Sequence, residues 1–331
     1  MIAPEFPALL QAFFTDRLLQ QRRASAHTVA AYRHAFRLLL RFASTNLGRA
    51  PSRLRLADLD VAFLCNFLSH LERERGNCAR TRNARLAALH AFFRYVALTD
   101  PAHALHCQRV LAIPSKRFVR GIVEFLNEKE SKALLEAPDT ATWIGRRDRT
   151  LLLVAVQTGL RVSELIALRR EDVTFGAGAH VRCEGKGRKL RCTPLRRDAT
   201  KVLQAWLRER PPSPDEPVFP SSRGGRISVD AIEHLVAKHA ATARRSCPSL
   251  EGKRITPHTL RHTCAMDFLR SGVDLSVIAL WLGHESIETT QIYVHADLRL
   301  KEKAIARTRP SGLKPGRFRP DDALLGFLEK L

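Results

Sequence analysis

Acidic side chains are in short supply. Asp and Glu number 33 against 55 Lys and Arg, a formal net charge of +22 over 331 residues. Such an excess attracts polyanions, and DNA or RNA is the leading candidate. The excess is not confined to a tail: lysine is absent from residues 1–110, yet 16 Arg and 7 acidic residues leave that portion at +9. Long hydrophobic runs are also missing. The charge-free stretch 150–160 is eleven residues long, well short of the ~20 that span a bilayer. Pro4 and Glu5 stand where a secretion signal would carry basic and then apolar residues. No membrane partner is expected, and the expected location is cytoplasmic. The seven cysteines, at 65, 78, 107, 183, 192, 247 and 264, are odd in number and never spaced as Cys-x-x-Cys. This excludes a disulfide framework and a zinc ribbon and fits reduced thiols. Tyrosine is rare: Tyr32, Tyr95 and Tyr293 are the three in the chain.

The chain is long enough for two domains, and 45% hydrophobic content supplies a core for each. Apolar residues recur at helical spacing over 6–19, 28–42, 59–71 and 84–98, predicting a four-helix bundle over residues 1–105. Arg33, Arg37, Arg41, Arg82 and Arg85 fall on its polar faces, where they suit contact with a nucleic-acid backbone. Pro101, Pro114 and Gly121 then interrupt the pattern amid Lys116, Arg117 and Arg120, predicting an extended basic linker over 106–125. Asn127 with Glu130 has the spacing of a capping box and opens a second domain, 126–331. Helical patterns cover 142–158, 162–169, 197–209, 229–243, 257–271 and 275–282. Between them, two β-like runs, 180–184 and 189–195, flank Gly185-Lys186-Gly187-Arg188 and read as a hairpin. The fold class is therefore mainly α with a small β-sheet: a helical domain followed by an α+β domain.

Five places in the second domain hold residues able to do chemistry. In TGLRVSEL, Gly159 suits the left-handed end of a helix. Arg161 and Glu164 are three apart on the next helix, so the acid can orient the guanidinium. Lys186 is the hairpin-tip cation in a chain that prefers Arg by 43 to 12, and Lys, unlike Arg, can release a proton. The Gly-Lys pair is not a phosphate-binding P-loop, because Gly187 follows where Ser or Thr is needed. In TPHTLRH, Thr256 caps a helix and Pro257 opens it. His258, Arg261 and His262 then share a face near an anion-favouring N-terminus. His258 and His262 alone resemble a zinc pair, but the Glu of His-Glu-x-x-His and any completing ligand are missing. LGH ends a helix at Gly283 and adds His284. TTQIYVH contributes Tyr293, the one phenol available to this domain.

Together these groups suit attack on a DNA phosphodiester. Two guanidiniums can grip the non-bridging oxygens as negative charge builds in the transition state. Arg161 and Arg261 fit that task. A phenol of ordinary pKa near 10 needs a base or a positive field; His258 is a candidate base, and His284 can donate to the phosphate. The departing 5′-oxygen needs a proton, and Lys186 can give it. The phosphotyrosine product keeps the phosphodiester energy, so ATP is not expected; no clustered carboxylates stand ready to hold a metal, and no metal or other cofactor is expected.

The order Arg161, Lys186, His258, Arg261, His284, Tyr293, carried by TGLRVSEL, GKGRKLRCTPL, HTLRH, LGH and TTQIYVH, resembles the phage-integrase or tyrosine recombinase family, close to its Xer-like members. The resemblance implies a core-binding domain over 1–105 and a catalytic domain over 126–300. It implies that Arg161, His258, Arg261 and His284 activate the phosphate, Lys186 protonates the leaving oxygen, Tyr293 forms a 3′-phosphotyrosine, and Glu164 supports them. Implied partners are duplex DNA clamped between the domains, a homo-tetramer on two synapsed sites, and accessory recombination proteins. A basic loop, 243–254, and a long tail, 297–331, with Leu324, Leu325, Phe327, Leu328 and Leu331, depart from a minimal member; the tail can dock on its own chain or on a neighbour. Two other readings share these parts: a catalytically silent DNA-binding regulator and a type IB topoisomerase.

Overall fold

The structure is a computed structural model that describes residues 5–119, 123–185, 189–210, 216–284, 286 and 288–296. Lys186 and the tail 297–331 lie outside the described residues. The chain divides into two compact units, Met1–Arg120 and Gly121–Leu331.

The first unit is helical. Its elements are α1 (Phe6–Ala12), continued by a π-helical stretch (Phe13–Gln21), then α2 (Ala26–Leu47), α3 (Val61–Arg73), α4 (Ala79–Thr99) and α5 (Ala104–Leu111). Ser25 and Asp60 cap α2 and α3 by accepting backbone N–H bonds from Thr28 and Phe63. Apolar residues at i, i+3 and i+4 spacing turn inward, and the centre is aromatic: Phe13 touches Tyr32, Phe36, Phe92 and Tyr95.

Two expectations need correction here. The linker predicted over 106–125 starts later, because α5 runs through its first residues and buries Cys107 and Val110 in the same core. Short helices with little sequence for their apolar stripe hide easily behind a proline such as Pro101. Arg82 is not on a solvated face. It is buried, and its guanidinium donates to the Pro114 carbonyl at 2.9 Å. Beside it, Asn83 exchanges two hydrogen bonds with the Lys116 backbone. Residues 114–116 are thus fastened along α4.

The second unit carries α6 (Glu128–Glu136), α7 (Trp143–Thr158), α8 (Val162–Ala167), β1 (Val173–Thr174), β2 (His180–Glu184), β3 (Leu190–Pro194), α9 (Arg197–Arg208), α10 (Val229–Ala243), α11 (Pro257–Arg270), α12 (Leu275–Leu282) and α13 (Glu288–Ala296). The Asn127–Glu130 capping box is formed at the start of α6. The expected hairpin is present, and β1 extends it to a three-stranded antiparallel sheet of order β1-β2-β3. The β2–β3 register pairs Cys183 with Arg191 and ends at Glu184 opposite Leu190. One apolar core gathers α6 to α10 around Leu151, Leu152, Trp206 and Val236. A smaller one gathers Met266, Ile278, Leu282 and Tyr293 from α11, α12 and α13.

Candidate active site

Two left-handed glycines shape the site. Gly159 ends α7 with φ 62°, and Gly283 ends α12 with φ 64°. A side chain on either would force a neighbour to shift: a Cβ on Gly159 would lie 2.7 Å from Leu282 Cδ2, and one on Gly283 would lie 2.8 Å from an Arg191 nitrogen. The sharp turn after Gly159 starts α8 at once, with Arg161 as its N-cap residue.

Both expected arginines lean on the end of α12. Arg261 is 2% exposed. It donates to the Gly159 carbonyl at 2.6 Å and to the Leu282 carbonyl at 2.7 Å. Arg161 donates to the next carbonyl, that of Gly283, at 3.0 Å. A helix C-terminus carries partial negative charge and unsatisfied carbonyls, so it suits cations. Burial, then the charge of Arg161, lower the Arg261 guanidinium to about 10, which leaves it charged at neutral pH.

Glu164 is buried and accepts four hydrogen bonds. Two come from Arg161, through its backbone N–H at 2.7 Å and its guanidinium at 2.9 Å. Two come from Arg191 on β3, at 2.9 and 2.8 Å. Burial alone would raise this carboxyl, but the Arg191 and Arg161 bonds outweigh it and hold it below the usual carboxylate range. Arg191 escaped the sequence reading. The signal was its inward place in β3, half-buried between exposed Leu190 and Cys192.

His258 and His262, one turn apart near the start of α11, lie with ring centroids 4.1 Å apart. Thr256 caps this helix as expected, accepting the Thr259 N–H. The preceding basic loop is not loose. Lys253 donates to Glu130 at 2.7 Å and to the Phe125 carbonyl at 3.2 Å, and Ser249 donates to the same carboxylate at 2.8 Å. Burial, then Arg261 and Arg161, lower the His258 imidazole. Burial, then the same two arginines, lower His284 to about 4. Its Nδ1 is engaged with the Thr290 hydroxyl at 2.8 Å.

Tyr293, on α13, is 1% exposed. Its ring lies nearly parallel to that of His284, at an interplanar angle of 12° and a centroid distance of 6.5 Å. Its hydroxyl lies 3.0 Å from Nδ1 of His262, not of His258. Burial pushes the phenol up to about 12, while the charges of Arg261 and Arg161 pull it the other way. Arg161, Glu164, His258, Arg261, His284 and Tyr293 are thereby gathered at one place. Among the described residues, no group of three or more His, Cys, Asp or Glu side chains could hold a metal ion, and no helix is long and apolar enough to cross a membrane.

A fold of this kind, with two guanidiniums and a phenol on a helical scaffold, defines a protein built for phosphoryl transfer through tyrosine. The profile of the phage integrase family matches residues 124–299, and that of the phage integrase N-terminal SAM-like domain matches residues 12–98. The chain belongs to the phage integrase family, the tyrosine recombinases, and is closely related to its XerC and XerD types. It is 55% identical over 323 residues to the putative integrase/recombinase y4rC of Sinorhizobium fredii (strain NBRC 101917 / NGR234), covering 98% of this chain and 97% of that one. It is 30% identical to the tyrosine recombinase XerC of Pelotomaculum thermopropionicum (strain DSM 13744 / JCM 10971 / SI), covering 90% of this chain and 96% of that one. Its fold is shared with the crystal structure of XerH site-specific recombinase bound to palindromic difH substrate, a post-cleavage complex, at a TM-score of 0.70 and 23% identity over 86% of this chain and 81% of that one.

Proposed function

We propose that this protein is a site-specific recombinase that cuts and rejoins duplex DNA through a 3′-phosphotyrosine bond at Tyr293. What supports this reading is a buried phenol hydrogen-bonded to His262, on the helix that also carries Arg261, together with two guanidiniums anchored on the consecutive carbonyls that end α12. Arg161 and Arg261 neutralise the non-bridging oxygens as charge builds on them. Their anchors on consecutive carbonyls mean that little reorganisation is needed at the moment of reaction. His258 and His284 complete the cradle as donors, and Glu164 holds Arg161 in attitude. Lys186 is assigned the proton for the leaving 5′-oxygen on the strength of its place in GKGRKLRCTPL. The net charge of +22 provides the attraction to the DNA backbone, and the arginine-rich helical unit adds to it. Strand exchange between two sites calls for four copies of the chain.

The test is a nicked duplex that traps the covalent step. The unmodified chain leaves a protein–DNA adduct, and Tyr293→Phe binds the same duplex but leaves none. An adduct at the normal rate in that variant would remove Tyr293 as nucleophile. Binding without an adduct in the unmodified chain would identify a silent DNA-binding regulator. Relaxation of any supercoiled plasmid without site preference would identify a topoisomerase.

A further inference from the structure

The proton on Tyr293 must leave before or as its oxygen attacks phosphorus, and the sequence pattern offered His258 to take it. The geometry points to a different residue. We propose that His262 is the catalytic base: Nδ1 takes the phenolic proton as the Tyr293 oxygen attacks, and returns it when the phosphotyrosine is resolved. This rests on the recombinase reading given above. The step balances. The phenolic O–H bond breaks, its proton passes to Nδ1, the oxygen–phosphorus bond forms, and the bond to the 5′-oxygen breaks as that oxygen takes a proton from a separate acid. Resolution by a 5′-hydroxyl runs the same transfers backwards.

Three observations support the assignment. First, among the described residues, Nδ1 of His262 is the hydrogen-bond partner of the phenolic oxygen, at 3.0 Å. That is within the range a general base needs. Second, the other two histidines are otherwise placed. His258 contacts the His262 ring edge-on rather than the phenol, and His284 spends its Nδ1 on Thr290. Third, the charged and titratable surroundings keep His262 neutral. It is faced by His258 and Arg261 on its own helix, by His284 beyond α12 and by Tyr293 on α13. Burial, then His258, Arg261 and His284, lower its imidazole to about 3, so the ring is neutral at neutral pH, and in its Nε2–H tautomer Nδ1 accepts from the phenol.

With the phenol raised to about 12 and the imidazole lowered to about 3, the proton stays on oxygen. A bound phosphodiester offsets the charge of Arg261, which is among the groups holding the imidazole down. The base therefore gains strength when substrate arrives. The nucleophile is armed by the phosphate it attacks.

His262→Asn tests this, because the amide oxygen can accept the phenolic hydrogen bond but cannot carry the proton. Single-turnover adduct formation on a nicked duplex is measured beside binding of the same duplex. We expect unchanged binding and adduct formation slowed at least ~100-fold, the lower end of general-base effects. The penalty should shrink when Tyr293 is replaced by a more acidic fluorinated tyrosine, and the penalty of His258→Asn should not. Adduct formation within about threefold of the unmodified rate overturns the proposal. So does a penalty that fluorination leaves unaltered, which would make His262 a support for the ring only. If the Asn chain binds DNA poorly, His262→Ala supplied with free imidazole replaces it; partial restoration of the adduct supports the base role and none overturns it. The absence of any adduct from the unmodified chain is a separate result: it overturns the recombinase reading itself.

Discussion

Glu164→Gln is the substitution whose consequences the structure specifies most fully. The carboxylate is buried and its four hydrogen bonds come from two guanidiniums and one backbone N–H. Glutamine keeps the shape, turns one acceptor into an NH₂ donor facing other donors, and removes the negative charge between Arg161 and Arg191. Removing one partner of a buried pair costs about 3–5 kcal/mol. The Arg191 side chain is 13% exposed and that of Arg161 30%, so water softens the loss at Arg161. The expected cost is therefore near the bottom of that range, about 3 kcal/mol. Urea denaturation followed by tryptophan fluorescence measures it cleanly, because Trp143, Trp206 and Trp281 all lie in the second unit. The pH dependence gives a second check. Glu164 titrates below its ordinary value when folded. Its contribution is thus complete above the unfolded carboxyl pKa of about 4.3 and is lost as pH falls through the lower folded value. The gap between the two proteins should be full at neutral pH and close in acid. A gap under about 1 kcal/mol at pH 7, the worth of an exposed pair, would refute the reasoning. So would a gap that persists unchanged into strong acid.

Two other outcomes can be checked directly. Gly159→Ala and Gly48→Ala share a left-handed backbone, at φ 62° and 61°, but a Cβ at 48 meets nothing within 4 Å whereas one at 159 meets Leu282 and Cys264. Chemical denaturation should show about 1–2 kcal/mol for Gly48→Ala and clearly more for Gly159→Ala, which should also slow adduct formation by shifting the carbonyl that holds Arg261; equal costs would contradict the packing described. With a thiol reagent at neutral pH, exposed Cys78 and Cys192 should label quickly. Cys107, Cys183 and Cys264, pushed by burial up to about 11, 11 and 12, should label only on unfolding.

Much of this molecule was legible from its residues because the information is local. Helices such as α10 and α12 follow from apolar spacing, and the Asn127 and Thr256 caps follow from a few adjacent side chains. The six-residue chemical order is equally local in its motifs. What escaped depends on tertiary placement. Arg82 looks like any surface arginine until the Pro114 carbonyl is found above it. Arg191 reaches Glu164 only because the strand register sets it opposite Cys183 on the inward face. His262 and His258 sit one helical turn apart and are chemically identical in sequence. Which of them meets Tyr293 is decided by how α13 packs on α11.

The adjoining carbonyls of Leu282 and Gly283 tie Arg261 and Arg161 to a single peptide turn. His284 follows that turn directly, and α13, which carries Tyr293, begins four residues later. Fraying that one helix end would loosen both guanidiniums together.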